Sequence, residues 1–442
     1  MSDQNTNNGN SRRDFIKVAA TGAAAITASY MPSTAEGMRR VLGANERIQT
    51  AHVGLGAQGS THVRLLAERK QETNTEVVAL CDLYGRNRNE NRTRAGVKEA
   101  SVYVDYRKLL EKEKDVDAVW VATSDNWHAD VALAALAAGK HVYCEKPMCK
   151  TVEEAFAIYD AVKKSGKKFQ VGSQGCSDTK WHVAKKVVES GRIGHVVVAQ
   201  GSYMRNGRVG EWNNYGRFDK DAGPNASGEA NIDWETFRKG KGPKEFDPDR
   251  FFRWRKYWAY GSGLVGDLLP HRLHPLFIAM NLPTDGLKGF PRRVSSMGGL
   301  YVQKVNAETG KMDREVPDFI NMSIDYDDMS MMAMSSCINE QGWPDMIRGN
   351  KASLYFGGNG VEIRPERAWA DEVEGGIEPV TGPGESIESH HDNLLMCIRE
   401  NKVPNANIDL ALRVMVGIAL GEMAYRQNKT FTFDPATRKY SS

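Results

Sequence analysis

At 442 residues the chain exceeds one ordinary domain and fits two domains with a tail. Its 40% hydrophobic and 26% charged residues are those of a globular protein, not a disordered one. A formal net charge of +3 lacks the basic concentration that nucleic-acid binding needs, and six cysteines without a CxxC pair exclude a disulfide scaffold.

Residues 1–11 are polar, and Ser11-Arg12-Arg13-Asp14-Phe15-Ile16-Lys17 then precedes a mild apolar run from Val18 to Tyr30. A positive stretch before a short apolar one is the pattern of a secretory signal. The paired arginines resemble a twin-arginine signal, which exports folded proteins. Residues 1–35 are therefore expected to be a signal peptide, with Ser33-Thr34-Ala35 available for cleavage and the mature protein in the periplasm. No segment approaches the ~18 apolar residues of a membrane span.

From Ile48 the sequence alternates β-branched runs (Gln49–Gly54, Glu76–Cys81, Val116–Ala122, His141–Cys144, Lys168–Val171) with helical stretches (Thr61–Arg69, Ala129–Ala138, Thr151–Ser165). Thr151 and Glu154 form a capping box, and Gly139 and Gly166 stand at helix stops. This predicts an α/β Rossmann domain over 47–172 with a doubly wound parallel sheet. From 173 to 442 a helix (Lys180–Ser190) and a strand (His195–Tyr203) lead into a polar, tryptophan-bearing stretch. Strand-like runs follow without helices between them: Arg293–Gln303, Phe319–Tyr326, Ser330–Ile338, Met346–Phe356 and Gly360–Arg364. They predict an α+β domain with an open antiparallel sheet, closed by helices near Ser386–Glu400 and Asn407–Gln427.

Gly54-Leu55-Gly56-Ala57-Gln58-Gly59 is a GxGxxG turn between a strand and a helix, and Asp82 ends the next strand. Gly54 permits the tight turn, Gly56 admits a pyrophosphate against the backbone, and Gly59 lets the helix pack closely. Asp82 is placed to accept from the ribose hydroxyls and to repel a 2′-phosphate, favouring NAD. Arg86 and Arg88 just beyond leave NADP possible.

Val121-Ala122-Thr123 with His128, Ala138-Gly139-Lys140-His141-Val142, Glu145-Lys146-Pro147 and Gly266-Asp267-Leu268-Leu269-Pro270-His271 resemble the glucose–fructose oxidoreductase/inositol dehydrogenase (Gfo/Idh/MocA) family. The resemblance runs from about Arg47 to Phe433. It implies hydride transfer between a nicotinamide cofactor and a hydroxyl carbon of a sugar, glycoside or cyclitol, in a homo-oligomer. It places the catalytic roles on Lys146, Asp267 and His271, with Thr123, His128, Glu145 and Lys146 joining Gly54, Gly56, Ala57, Gln58, Gly59 and Asp82 around the cofactor. Leu269 and His274 depart from the family's usual residues, which touches substrate identity.

The residues themselves suit this chemistry: an imidazole is a general base near neutral pH, and an ammonium stabilises a developing alkoxide. With Asp267 as a helix N-cap, His271 stands one turn in. Asp267, His271 and His274, or His390-His391-Asp392, have the composition but not the completeness of a metal site, so none is assigned. Phe251-Phe252-Arg253-Trp254-Arg255-Lys256-Tyr257-Trp258-Ala259-Tyr260 reads as a carbohydrate cleft or as packing and interface. Two other functions remain open. One is a glycosidase or sugar–sugar oxidoreductase that recycles a retained cofactor, and the other is a non-catalytic sugar-binding relative.

Overall fold

The computed structural model describes residues 47–442 apart from 214–217, 306–309, 311–313 and 359. The expected signal segment lies outside the described residues. Six strands form a parallel sheet in the order β3-β2-β1-β4-β5-β6. They are β1 (Ile48–Val53), β2 (Thr75–Cys81), β3 (Val102–Tyr103), β4 (Ala118–Val121), β5 (His141–Glu145) and β6 (Phe169–Gly172). Nearly continuous apolar runs such as Ala118–Val121 are buried on both faces, as a helix-covered parallel sheet requires. The covering helices are α1 (Ala57–Glu68), α2 (Gly85–Ala95), α3 (Tyr106–Lys112), α4 (Asp125–Ala137) and α5 (Val152–Ser165). The capping box at Thr151 and Glu154 forms as expected, and Gly166 ends α5 at φ +65°. α2 has no apolar period, so its sequence carried no helix signal; only Gly85 and Asn91 are buried in it.

After α6 (Thr179–Glu189), strand β7 (Val196–Asn206) enters a second sheet of 11 strands. The expected strands occur as β8 (Arg293–Gly299), β9 (Phe319–Asp325), β10 (Ser330–Ser336), the β12–β13 hairpin (Met346–Gly349, Ala352–Gly357) and β14 (Gly360–Pro365). Short additions are β11 (Ile338–Asn339), β15 (Gly376–Glu378), β16 (Phe431–Asp434) and β17 (Lys439–Ser441). The sheet is mixed rather than wholly antiparallel: β7 pairs with β10 in parallel, while the other pairings are antiparallel. Residues 207–329 lie between these two strands, which leaves room for any crossover.

Two further helices, α7 (Gly263–Asp267) and α8 (Pro270–Ala279), lie within that excursion. The closing helices, α9 (Ile387–Arg399) and α10 (Ile408–Gln427), return to the parallel sheet. His390 and His391 of α9 pack edge-on against Tyr143 of β5. Ile48–Ser442 consequently forms one compact unit, although it contains two sheets.

This core holds five buried histidines whose imidazoles burial pushes down: His52 and His271 to about 3, His274 and His390 to about 4, and His391 further, and the half-buried His141 is lowered to about 4 as well. The unfolded chain takes up these protons near the ordinary value of 6.5, before the folded chain does. Stability is therefore full above that pH and lost below it, at up to ~1.4 kcal/mol per pH unit per group. Burial raises the carboxyls of Asp82, Asp125, Asp345 and Glu385, which offsets part of the loss. We expect cooperative acid unfolding between about pH 6 and 4 with uptake of several protons, read from circular dichroism and proton titration. An unchanged melting temperature across that range would contradict this burial.

Candidate active site

The glycine turn follows β1 directly. Gly54 has φ +87°, and a Cβ there would lie 2.5 Å from the Ala122 carbonyl. A Cβ on Gly59 would stand 1.9 Å from the Gly54 oxygen, so only glycine lets α1 settle onto the turn. Gly56 meets open space instead. No side chain caps α1 and its first turn holds no acid, so its N–H groups and positive dipole end suit a phosphate. A cavity of about 320 Å³ opens here, lined by Gly54, Gly56, Ala57, Gln58, Asp82 and Thr123. These features fit a dinucleotide.

Asp82 does more than face the cavity. Its Oδ2 accepts from the Leu55 N–H at 2.6 Å and its Oδ1 from the Tyr84 N–H at 2.7 Å, which ties the glycine turn to the end of β2. Burial raises its carboxyl, against the lowering by those two bonds and by Arg88. Both neighbouring arginines are engaged: Arg88 donates to the Asp82 carbonyl at 2.7 Å, and Arg86 pairs with Asp219 at 3.2 Å.

The aromatic segment is found at the nucleotide cavity. Phe237, Phe251, Phe252, Trp254 and Arg255 form its outer wall. The surrounding insertion is bonded to both lips. On one side Asp233 N donates to Leu83 O at 3.1 Å and Gly85 N to Asn231 O at 3.0 Å. On the other, Asn126 N donates to Tyr260 O at 3.2 Å and Trp127 Nε1 to Phe237 O at 3.2 Å. Tyr257 and Tyr260 are themselves buried, in a cluster with Trp234 and Phe237.

Lys146 follows β5 and meets Asp267 at the end of α7. Its ammonium donates to the Asp267 carbonyl at 2.6 Å and to Oδ1 at 2.9 Å. Arg255 Nε adds a bond to Oδ1 at 3.1 Å and Trp212 Nε1 one to Oδ2 at 2.9 Å. Burial opposes ionisation of Asp267, but Lys146 and Arg255 overcome it and hold the carboxyl far below its usual range. Asp267 is not the expected N-cap. Leu269 precedes α8, and Pro270 occupies its first position, where the missing N–H costs nothing.

His271 lies in the first turn of α8, its ring stacked on Tyr203 at 4.6 Å. Burial, then the Lys146 charge, keeps it neutral down to about 3. Pro275 denies the His271 carbonyl a helix partner, and Arg272 Nη1 donates to it instead at 3.1 Å.

Glu145 is bonded into a buried network. His62 Nε2 donates to its Oε1 at 2.9 Å and Gln58 Nε2 at 3.1 Å, while His391 stands 2.9 Å behind His62. Burial would raise this carboxyl, but His62 brings it to about 2. His128 bridges carbonyls, with its ring nitrogens 2.6 Å from Pro147 O and 3.1 Å from Thr123 O, and so braces two turns without lining the cavity. His274 donates to the Pro270 carbonyl at 3.0 Å, and His390 sits between Ser177 and the Val171 carbonyl. Among the described residues no group of three or more His, Cys, Asp or Glu is placed to hold a metal ion. Arg255 belongs to the aromatic segment that the sequence singled out, but its bond to Asp267 was not signalled, and Trp212, His62 and Tyr203 belong to no spaced motif.

Residues 48–173 match the model of the Gfo/Idh/MocA oxidoreductase family, described by its NAD-binding Rossmann fold. Inositol 2-dehydrogenase of Salmonella typhimurium is 35% identical over 161 residues, 36% of this chain and 47% of that protein. The chain thus spans about half the length of the curated relatives it matches. Aldose–aldose oxidoreductase of Caulobacter crescentus, solved with glycerol, has the same fold, with a TM-score of 0.61 at 19% identity over 88% of this chain and all of that one. An inositol dehydrogenase homologue of Azotobacter vinelandii, solved with NADH and myo-inositol, gives a TM-score of 0.61 at 18% identity, covering 86% and 96% of the two chains.

Gly59→Ala tests the turn. Overpacking of this kind costs about 1–3 kcal/mol, so the variant should melt at least a few degrees lower by calorimetry, roughly 2–4 °C per kcal/mol, and lose nucleotide. Wild-type melting and binding would refute the close approach.

Proposed function

We propose that the chain is a Gfo/Idh/MocA oxidoreductase that moves a hydride between NAD and a hydroxyl carbon of a sugar or cyclitol. The observation that carries this reading is the Lys146–Asp267 pair, joined through Arg255 to a cavity that fits a dinucleotide, with His271 near enough to feel both charges. The glycine turn with Asp82 would hold the nucleotide, and Thr123 lines the cavity with them. When bound, the nicotinamide supplies the hydride acceptor. The engagement of Arg86 and Arg88 by protein oxygens favours NAD over NADP.

In the oxidation direction the substrate C–H gives up a hydride while its O–H proton passes to the neutral imidazole of His271, and a carbonyl is left. Lys146 gives two of its three ammonium hydrogens to Asp267, which leaves one for the substrate oxygen as its negative charge develops. Asp267 holds the Lys146 ammonium in place. His271→Ala and Lys146→Met should each slow single-turnover nicotinamide absorbance changes by ~10²–10⁴-fold with nucleotide still bound. The double variant should lose less than the product of the two, because the groups act together. Near wild-type rates in both single variants would remove this assignment.

A second reading is favoured by the insertion over the cavity: a cofactor kept in place, reduced by one sugar and re-oxidised by another or by a later step on the same sugar. Denaturing the purified protein should then release NAD(H), and turnover should proceed without free NADH accumulating. Stoichiometric NADH in solution would instead identify a simple dehydrogenase.

Export in folded form through the twin-arginine route belongs to the same proposal, since a retained cofactor must be loaded before export. Replacing Arg12 and Arg13 by Lys should keep the protein in the cytoplasm. Fractionation showing normal export of that variant would exclude the route.

A further inference from the structure

His271 has an unusual surrounding for a base. Its Nδ1 is buried and makes no hydrogen bond. A buried ring nitrogen without a partner is costly, and an imidazole in that state has neither a fixed tautomer nor a counter-charge. The carboxylate facing Nδ1 belongs to Glu385, whose Oε1 is 4.0 Å away. Glu385 comes from the loop before α9, far from the Lys146–Asp267 pair in sequence.

That loop is held by the chain rather than loosely placed. Thr179 donates to the Pro383 carbonyl through both its N–H, at 3.0 Å, and its hydroxyl, at 2.9 Å. Gly175, on the other side, would place a Cβ 3.7 Å from Glu385 Oε2 and 2.8 Å from Pro275 Cγ. Glycine there lets the loop and α8 approach one another.

We propose that Glu385 is the positioning residue of His271, accepting a hydrogen bond from Nδ1–H so that the lone pair of Nε2 is presented to the substrate hydroxyl. This rests on the proposed role of His271 as base. A rotation of one side chain closes a 4.0 Å gap, and hydrogen bonds of catalytic groups are often long in the absence of substrate. The second nitrogen of an imidazole is set by the bond that the first one makes.

The charges facing His271 make a carboxylate useful. Lys146 from the end of β5 and Arg205 from β7 disfavour the imidazolium, while Asp267 from α7 and Glu145 from β5 favour it. Asp267 is shared among three donors and Glu145 is bonded to His62 and Gln58. Neither bonds the imidazole. Glu385 stands against Nδ1 itself, where a carboxylate stabilises the imidazolium formed as the proton is taken. Burial raises its own carboxyl, Arg272 and Lys180 lower it, and Asp178 and Asp345 raise it again.

Two measurements test the pairing. With ¹⁵N-histidine labelling of the full chain, His271→Asn identifies the His271 resonances. In the wild type they should report a proton on Nδ1, and in Glu385→Ala a mixture of tautomers. A proton on Nε2 in the wild type, or the same tautomer in both proteins, overturns the proposal whether or not a substrate has been found. With a substrate, Glu385→Gln should lower kcat on the order of 10²-fold with little change in KM. Glu385→Asp, which keeps the charge, should restore part of kcat. Unaltered kcat in Glu385→Gln, alongside a slow His271→Ala, overturns the positioning role alone. A fast His271→Ala overturns the base itself, and the positioning role with it.

Discussion

The contact between Lys146 and Asp267 is the constraint around which the molecule is arranged. A cation at the carboxyl edge of the parallel sheet and an anion from the excursion of the second sheet are both nearly buried, with side chains 11% exposed. Either charge alone would be costly in that setting. Together, with Arg255 and Trp212 completing the carboxylate, they fix where the two layers of the protein meet. The imidazole of His271, one turn into the following helix, is carried to the same place by that geometry. Losing Lys146 would leave Asp267 to Arg255 and Trp212, whereas losing Asp267 would leave the Lys146 ammonium without its carboxylate, and that damage would extend beyond the reaction to the joint itself.

The same region separates two tasks that a single aromatic segment could have served. Phe251, Phe252 and Trp254 cover the nucleotide cavity, while Tyr257 and Tyr260 belong to the packing that supports this wall. Arg255 stands between the two, stacked on Trp254 at 4.1 Å and bonded to Asp267. A single side chain therefore touches both the cofactor chamber and the charged pair.

Contiguous signals were legible in the sequence. Gly54 to Gly59, Asp82 and Glu145-Lys146-Pro147 are short patterns whose meaning depends on neighbours in the chain, and the parallel sheet shows in its apolar runs. The partners of those residues were not legible. Trp212 reaches Asp267 across 55 residues and Lys146 across 121, and no periodicity links such positions. Asp267 read as a helix cap because it stands three residues before a proline, but Pro270 opens a separate helix and leaves the carboxylate to cations. The aromatic run read as a carbohydrate cleft or as packing, whereas Phe251, Phe252 and Trp254 line the nucleotide cavity, because the same rings can cover either ligand. The direction of β10 against β7 was equally hidden, because alternation fixes which face a residue takes and not which neighbour its strand acquires.

That strand pair has a consequence for how the chain is assembled. Tyr203 and Ser335, which bond across it, are 132 residues apart, and everything between them must be gathered before the ladder can form. The gathered portion includes the outer wall of the nucleotide chamber and both helices that bring Asp267 and His271 into place. During synthesis, β7 waits with an open edge until β10 has emerged, a state exposed to mispairing. The centre of the second sheet and the enclosure around the cofactor are thus completed late and together, so a partly made chain has neither.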